Sequence, residues 1–225
     1  MDMDAHRYEA MVNVGGLFSG MDAQRLPEVL SALRARQAQF AVNETVLAIG
    51  QPVDMMGYVL SGAISISFIN AEGIEVILRI ARAGESFLSE MAYLQEKKNS
   101  LLLRAEEPSE VLFLDISPVR RGEDLPCGRQ LVVNLTEGFV RTSQKLYEKA
   151  RLYSQKRIRS RVVLYLMSQP RQDNVVTLPM NRTELAAYLG VDRTALAREL
   201  SRMQSDGIIA LDRQRVTLLD KELFR

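Results

Sequence analysis

Residues 182–201 most constrain how this chain folds, because their apolar spacing predicts two short helices joined at a glycine. Leu185 and Leu189 lie four residues apart on one helical face, and a second leucine pair repeats that spacing after Gly190. Gly190 falls where the chain leaves the first helix, a position that favours a positive φ. The segment therefore predicts a helix-turn-helix.

The residues around these leucines suit the same motif. Asp192 is placed to cap the second helix, and Asn181 or Thr183 is placed to cap the first. Ala186 is small enough for the closest crossing of the two helices. The helices are thus predicted to begin and cross where a helix-turn-helix requires.

The second helix carries basic and small side chains on the side that is not needed for packing, which favours DNA binding. Arginines at its start suit guanine edges, and the remaining polar groups suit phosphates. Arg182 and Thr183 open the first helix on the same predicted surface. The predicted contacts on the second helix are Arg193, Thr194, Ala197, Arg198, Ser201 and Arg202.

The alternative is an ordinary helical hairpin with solvated arginines, and the charge distribution argues against it. Residues 150–225 hold 14 basic and 8 acidic residues, a net charge of +6, whereas residues 1–149 hold 15 and 20, a net charge of −5. The chain total of +1 thus hides a basic C-terminal domain, as expected for a module that binds phosphates.

Composition predicts a two-domain cytoplasmic protein. A chain of 225 residues with 47% hydrophobic residues can bury one core in each of two domains. It has no apolar run of about 18 residues, and its Met-Asp-Met-Asp start is unlike a signal peptide, so we expect no membrane association. Cys127 is the single cysteine, which excludes a disulfide framework.

The first two thirds of the chain change pattern twice. Apolar residues from Leu17 to Leu33 predict a helix through residue 36, and a long helix is predicted after Pro126. Between them, short apolar segments separated by glycines, with tight turns at Ser61-Gly62 and Ala71-Glu72-Gly73, predict a small antiparallel barrel or roll. The predicted strands are 44–49, 56–60, 63–69, 75–80 and 110–114.

The long helix carries an apolar stripe that suits either the chain's own roll or a partner helix. Its length without a cap favours the partner, and therefore a symmetric homodimer. The stripe consists of Leu131, Leu135, Phe139, Thr142 and Leu146.

The C-terminal part is predicted to be a winged helix. A helix at 153–168 has a basic start and ends before Pro170, and a short strand follows Asn174. The hairpin at 207–219 would project Arg213 and Arg215 beside the second helix of the helix-turn-helix. The predicted fold class is α+β: an N-terminal double-stranded β-helix (a jelly-roll-like β-roll), a long dimerisation helix and a C-terminal winged helix-turn-helix. The predicted domains are 1–127, 128–152 and 153–225.

This order of parts resembles the Crp/Fnr family of bacterial transcription regulators over nearly the whole chain. The most specific matches are Tyr58-Val-Leu-Ser-Gly62, Gly84-Glu-Ser-Phe-Leu-Ser-Glu90-Met and the segment 183–209. The resemblance implies a homodimer on double-stranded DNA with a two-fold symmetric operator, an effector in each roll, and RNA polymerase as a further partner.

The same resemblance places an effector pocket at Ser89, Glu90, Asn99 and Ser100. Members that bind cyclic nucleotides have a glycine-glutamate pair at the first position and an arginine before the serine or threonine at the second. Here Asn99 stands in place of that arginine, and an amide cannot supply a charge-assisted fork to a phosphate. Lys97 or Lys98 is an alternative, but lysine lacks the planar fork. We therefore expect a small-molecule effector other than a cyclic nucleotide, with a cyclic nucleotide or no ligand as the alternatives.

Other sensing and catalytic chemistries are limited by residue counts. One cysteine makes an iron-sulfur cluster unlikely, since such a cluster needs about four. Haem ligation would depend on His6, Cys127 or methionines, and Cys127 is otherwise a passive thiol or a redox reporter. No metal site or cofactor is evident, and no motif points to an enzyme. The remaining rival is a ligand-sensing module whose C-terminal domain binds protein instead of DNA.

Overall fold

The computed structural model describes residues 5–73, 75–220 and 222–224. The Met-Asp-Met-Asp start lies outside these ranges. The chain divides into two compact units, Met1–Ser143 and Gln144–Arg225, each with its own hydrophobic core. The division falls within one long helix.

The first unit opens with a broken helical segment. Helix α1 spans Ala5–Asn13, two single 3₁₀ turns follow, and helix α2 spans Leu26–Ala32. The predicted continuous helix through residue 36 is wrong, because Gly20 adopts a positive φ within it, and α2 ends at Ala32, before Arg34, which also has a positive φ. The apolar residues behind that prediction are nevertheless buried: Leu17, Met21, Leu26, Val29, Leu30 and Leu33.

In the described part of the first unit, eight strands form two four-stranded antiparallel sheets. One has the order β1-β8-β3-β6, and the other has the order β2-β7-β4-β5. Both contribute to one core, as predicted for a β-roll. The strands are β1 (Arg36–Phe40), β2 (Thr45–Leu47), β3 (Met56–Ser61), β4 (Ala63–Ile69), β5 (Glu75–Arg82), β6 (Ser86–Phe87), β7 (Leu102–Ala105) and β8 (Ser109–Leu114).

The turn predicted at Ser61-Gly62 joins β3 to β4. Gly62 has a φ of 84°, and a Cβ there would lie 2.3 Å from the Ser109 Oγ, so both the conformation and the space require glycine. Strands β1, β6 and β7 were not predicted. Strand β1 reads Arg-Gln-Ala-Gln-Phe, which lacks the apolar alternation of a half-buried strand.

Helix α3 (Ser89–Leu94) follows β6, helix α4 (Ser117–Arg120) follows β8, and helix α5 (Gly128–Tyr153) is the predicted long helix. Leu131 and Leu135 of α5 are buried in the core of the roll, and Phe139 packs against it. The amide of Asn134 donates to the carbonyls of Leu17 and Ser19, both at 2.9 Å. The start of the predicted stripe therefore faces its own roll and not a partner helix.

The second unit contains the end of α5 and a winged helix. A four-stranded antiparallel sheet has the order β11-β12-β10-β9. The helix predicted from residue 153 begins only at Ile158, because Arg157 is extended. The elements are α6 (Ile158–Ser168), β9 (Arg171–Gln172), β10 (Val175–Thr177), α7 (Arg182–Leu189), α8 (Arg193–Ser205), β11 (Ile209–Asp212) and β12 (Arg215–Leu218).

Within the described ranges, no helix combines the length and apolarity needed to cross a lipid bilayer.

Candidate DNA-binding surface and effector site

Helix α7 is held at both ends by local hydrogen bonds. The Asn181 side chain accepts from the amides of Thr183 and Glu184, and the Glu184 carboxylate accepts in return from the Asn181 amide at 2.8 Å. This capping box resolves the predicted choice between Asn181 and Thr183 in favour of Asn181. Gly190 ends the helix with a φ of 63°, as predicted.

Helix α8 begins at the predicted cap, since the Asp192 carboxylate accepts from the Ala195 amide at 2.9 Å. One side of the helix, which we call the seating face, packs into the domain and consists of Leu196, Glu199, Leu200 and Met203. The other side, which we call the reading face, is exposed and consists of Arg193, Thr194, Ala197, Arg198, Ser201 and Arg202. The structure thus brings all six predicted α8 residues together on one open surface.

The wing is the β11–β12 hairpin, whose turn contains Arg213 with a φ of 50°. Arg213 and Arg215 are exposed, as is Thr183 at the start of α7. Arg182 is different because it is half-buried and its guanidinium donates to the Arg213 carbonyl at 3.0 Å. Burial lowers the pKa of Arg182, and its Nη1 atom has no hydrogen-bond partner among the described residues. Arg182 therefore ties the start of α7 to the wing turn.

Two arginines on α6 support the helix-turn-helix, although the sequence showed them only as part of a basic helix start. The Arg161 guanidinium donates from Nη1 to the carbonyls of Leu189 and Gly190, both at 3.0 Å. These are carbonyls at the end of α7, which the helix itself leaves without partners. Arg161 therefore fixes the turn between α7 and α8.

Arg159 contacts α8 itself. Its Nε atom lies 2.6 Å from the Glu199 carboxylate, and its Nη2 atom lies 2.7 Å from the Asp206 carboxylate. Hydrogen bonds to Glu199 and then Asp206 raise the pKa of Arg159. The Glu199 Oε2 atom also lies 4.0 Å from the Arg202 guanidinium, so Arg159 is the closer partner of Glu199.

A buried lysine lies beneath aromatic rings where α5 ends. The Lys149 Nζ atom lies 5.1 Å from the centre of the Tyr188 ring and 5.9 Å from that of Tyr153. Burial lowers the pKa of Lys149 to about 8. The Tyr153 hydroxyl donates to the Tyr188 carbonyl at 3.2 Å, which joins the end of α5 to α7.

The predicted effector residues occupy different environments in the roll. Ser89 is buried at the start of α3, whereas Glu90 and Ser100 are exposed. Asn99 is only 3% exposed, and its amide is fully used. It donates to the carbonyls of Ala48 and Gln51, both at 3.0 Å, and its side-chain oxygen accepts from the Leu101 amide at 2.7 Å. Asn99 therefore links two loops of the roll.

Arg79 on β5 is a cation near Glu90 that sequence reasoning missed. It donates to the Ser86 carbonyl at 2.6 Å. Burial lowers the pKa of Arg79, and the charges of Glu85 and Glu90 partly oppose this. In the sequence, Arg79 is marked only by its position inside the apolar run 76–81 of β5.

The candidate ligands for other sensing groups are dispersed. His6 lies exposed on α1, and Cys127 is half-buried at the start of α5 with a φ of 52°. Across the described part of the chain, no three His, Cys, Asp or Glu side chains are grouped so that they could hold a metal ion.

Comparisons with known proteins agree with this architecture. The model of the cyclic nucleotide-binding domain family matches residues 37–121, and that of the Crp-like helix-turn-helix domain family matches residues 160–225. The chain is 21% identical to the cAMP-activated global transcriptional regulator CRP of Salmonella typhimurium over 179 residues, covering 76% of this chain and 84% of that protein.

Two solved structures share the fold. The c-di-GMP responsive global regulator CLP of Xanthomonas campestris is 20% identical with a TM-score of 0.67, over 89% of this chain and all of that one. FixK2 of Bradyrhizobium japonicum is 18% identical with a TM-score of 0.58, over 84% and 95% of the two chains. At these identities the structures establish the fold alone.

A β-roll followed by a long helix and a winged helix-turn-helix with an open reading face defines a DNA-binding transcription regulator with a sensor-type domain. The chain belongs to the Crp/Fnr family of such regulators.

Proposed function

We propose that the chain is a homodimeric transcription regulator that reads a two-fold symmetric operator with the reading face of α8. The observation that carries this proposal is that the six side chains of that face are exposed together beside the exposed wing arginines. A helix with this arrangement enters the major groove, and its first residues approach the base edges. Family membership supports RNA polymerase as a further partner and the cytoplasm as the location.

Arg193 and Arg198 are the proposed base contacts, and Thr194 accompanies them. Ala197 is small enough for close approach to a base, and Ser201 and Arg202 lie further along the helix toward the backbone. Arg213 and Arg215 on the wing, with Thr183, are the proposed phosphate contacts. Arg182 belongs to the same surface, but its hydrogen bond to the wing turn favours a role in placing Arg213.

The test compares two arginines with different proposed roles on an operator selected from a random DNA library. We expect Arg198→Ala to weaken operator binding by about 1–3 kcal/mol per half-site and to spare non-specific binding. Arg213→Ala should weaken binding to all sequences alike and reduce the salt dependence of the binding constant. Fluorescence anisotropy at several salt concentrations measures both. Unchanged operator affinity in Arg198→Ala would reject the base contact, and a sequence-selective loss in Arg213→Ala would reject the phosphate contact.

Homodimerisation is proposed to use an apolar face of α5 that the roll leaves open. Val132, Val133 and Val140 on this face are 48%, 44% and 51% exposed. Val133 and Val140 lie on the side of the helix opposite Leu131 and Leu135, which are buried in the roll, and Val132 lies on the flank between the two sides. An exposed row of valines on a helix is suited to a second copy of the same helix.

The proposed effector is a small molecule other than a cyclic nucleotide, which shifts the recognition helices when it binds the roll. Asn99 supports this, because its amide is already used by three hydrogen bonds and cannot turn to a phosphate without breaking them. The alternative, a cyclic nucleotide, is favoured by the matching domain family and by the exposure of Glu90 and Ser100. Calorimetric titration with cyclic AMP and cyclic GMP decides between them, and we expect no saturable binding of either.

A further inference from the structure

Arg159 holds α8 at two points that are seven residues apart. Glu199 lies in the middle of the helix, and Asp206 is its C-terminal cap residue, so the two carboxylates lie along about 10 Å of the helix axis. One guanidinium bonds both, at 2.6 and 2.7 Å. We call these two ion pairs the Arg159 clamp. Because they act at two heights on the helix, they oppose both sliding and rotation of α8 against α6.

The two arms of the clamp differ in how strongly solvent screens them. The Glu199 side chain is 15% exposed, the Arg159 side chain 37% and the Asp206 side chain 47%. An ion pair sheltered from water keeps more of its strength than one at the open surface. The ion pair with Glu199 is therefore the stronger of the two. The ion pair with Asp206 gives α8 a second point of attachment, which fixes its orientation.

The apolar contacts of the seating face do not fix the orientation of α8 in this way. Leu196, Leu200 and Met203 are buried, but burial of apolar surface is non-directional and tolerates small rotations. Arg198 is the neighbour of Glu199 in the chain and lies about 5–6 Å from the helix axis. A rotation of about 10° would therefore move a base-reading side chain by roughly 1 Å, which is enough to break a hydrogen bond to a base.

The clamp also keeps Glu199 away from the arginines of the reading face. Arg202 lies one turn along α8, with its guanidinium 4.0 Å from the Glu199 carboxylate and 72% of its side chain exposed. Without Arg159, the sheltered Glu199 charge would have Arg202 as its nearest cation. An Arg202 side chain that paired with Glu199 would no longer be available to contact DNA.

We propose that Arg159 is a positioning residue that sets the orientation of the recognition helix and thereby the discrimination between operator and other DNA. This proposal rests on the DNA-binding function proposed above. Arg159 acts through Glu199 and Asp206 without touching a base. The clamp restricts α8 before DNA arrives, so less ordering is required when the operator binds.

The experiment compares Arg159→Gln, Arg159→Lys, Glu199→Gln and the double variant Arg159→Gln/Glu199→Gln. Operator and non-specific affinities are measured by anisotropy, and the ratio of the two is the readout. We expect Arg159→Gln to lower this ratio by about tenfold, and Arg159→Lys to lower it less, because lysine keeps the charge but not the fork. The double variant should regain part of the loss, since it no longer carries an unpaired Glu199.

Each competing role gives a different result. If Arg159 contributed only stability, unfolding midpoints would fall while the affinity ratio stayed constant. If it touched a phosphate, both affinities would fall together, the salt dependence would become shallower, and no coupling with Glu199 would appear. Either result overturns the proposal.

A measurement without DNA separates this inference from the proposed function. Spin labels on Ser168 of α6 and Gln204 of α8, both in the same compact unit, report the distance between the two helices. We expect a broader or shifted distance distribution in Arg159→Gln than in the wild-type chain. A wild-type chain that binds no DNA would refute the proposed function, whereas an unchanged distance distribution would refute the clamp.

Discussion

At the scale of single residues, Asn99 shows how one buried amide can hold two parts of the roll together. Its three side-chain hydrogen bonds join the 48–51 loop to the chain after residue 99. We expect Asn99→Ala to destabilise the roll by about 2–3 kcal/mol, since each lost bond costs about 1 kcal/mol. Urea unfolding measures the change.

The exposed neighbour Ser100 offers a matched control for Asn99. Ser100→Ala should change the free energy of unfolding by less than about 0.5 kcal/mol, as surface substitutions usually do. If Asn99→Ala and Ser100→Ala unfolded at the same urea concentration, the structural role of Asn99 would be wrong.

The lowered pKa of Lys149 predicts that the stability of the folded protein changes with pH in the alkaline range. Its pKa is lowered from 10.5 to about 8 by burial, so between these values the unfolded chain binds more protons than the folded one. Stability contributed by this group therefore rises with pH from about 8. Above about pH 10 the raised pKa values of Tyr153 and Tyr165 act in the opposite direction, because ionised tyrosine is disfavoured in the folded state.

Urea unfolding of the wild-type chain and Lys149→Met between pH 7 and 9.5 tests this. The wild-type chain should gain stability relative to Lys149→Met as the pH rises through this window. A constant difference between the two proteins would show that Lys149 titrates normally.

Some residue roles could be predicted from the sequence because their partners are near in the chain. Gly190 and Asp192 serve hydrogen bonds within a few residues of themselves, so their types and positions were sufficient. The Arg159–Glu199 pair spans 40 residues and depends on how α6 crosses α8, which no local pattern encodes. The role of Asn99 was missed for the same reason.

At the scale of elements, α5 shows that spacing alone does not identify what a helix face packs against. The predicted stripe has helical periodicity, but Leu131 and Leu135 are taken up by the roll. Val133 and Val140 are exposed on the other side of the helix, seven residues apart. Periodicity predicted a helix with an apolar side, and only the fold distinguishes the side facing the roll from the side open to a partner.

The valine face gives a direct test of the dimer. We expect Val133→Glu and Val140→Glu to shift the chain from dimer to folded monomer, because a carboxylate buried at a helix contact is costly to desolvate. Sedimentation equilibrium and circular dichroism measure association and folding.

Arg141→Gln is a suitable control on the same helix, because Arg141 lies about 80–100° around the helix axis from Val133 and Val140 and is therefore off the valine face. It should leave association unchanged. A dimer that tolerates both valine substitutions would require another interface.

Strand prediction succeeded for the longer apolar strands β3 and β4 and missed β1, β6 and β7, although the short strand β7 is largely buried. β3 and β4 are largely buried and were predicted within one residue of their ends. β6 is two residues long, and β1 is mostly polar, so neither has a signal above that of a loop. Both are strands because β8 and β3 offer them backbone partners.

At the scale of the whole molecule, the two hydrophobic cores have no member in common among the described residues. We therefore expect the two units to unfold as separate cooperative units. Leu200→Ala, in the second core, should cost about 2–5 kcal/mol there.

Hydrogen exchange measured by mass spectrometry tests this independence. Protection should fall in α6, α8 and β12, and should be unchanged in β3, β4 and β8. An equal loss of protection in both units would show that the chain unfolds as one.

The excess of basic residues in the second unit does not all serve DNA binding, because some of these residues make contacts within the unit. The second unit carries a net positive charge, but the guanidinium groups of Arg159, Arg161 and Arg182 donate hydrogen bonds to carboxylates and carbonyls within that unit. Counting basic residues therefore overestimates how many phosphates the domain neutralises, and the salt dependence of binding should be smaller than the count suggests.

The separation of α8 into a reading face and a seating face also affects how such a regulator can diverge after gene duplication. Arg193, Thr194 and Ala197 can be exchanged without loss of a contact that holds the helix in place, since Arg159, Glu199 and the buried leucines lie on the other side. On the proposed DNA contacts, we expect new operator preferences to be reachable by single substitutions, each of which leaves the protein folded. A lineage that kept the clamp could spread its copies over different promoters while the architecture of the domain stayed the same.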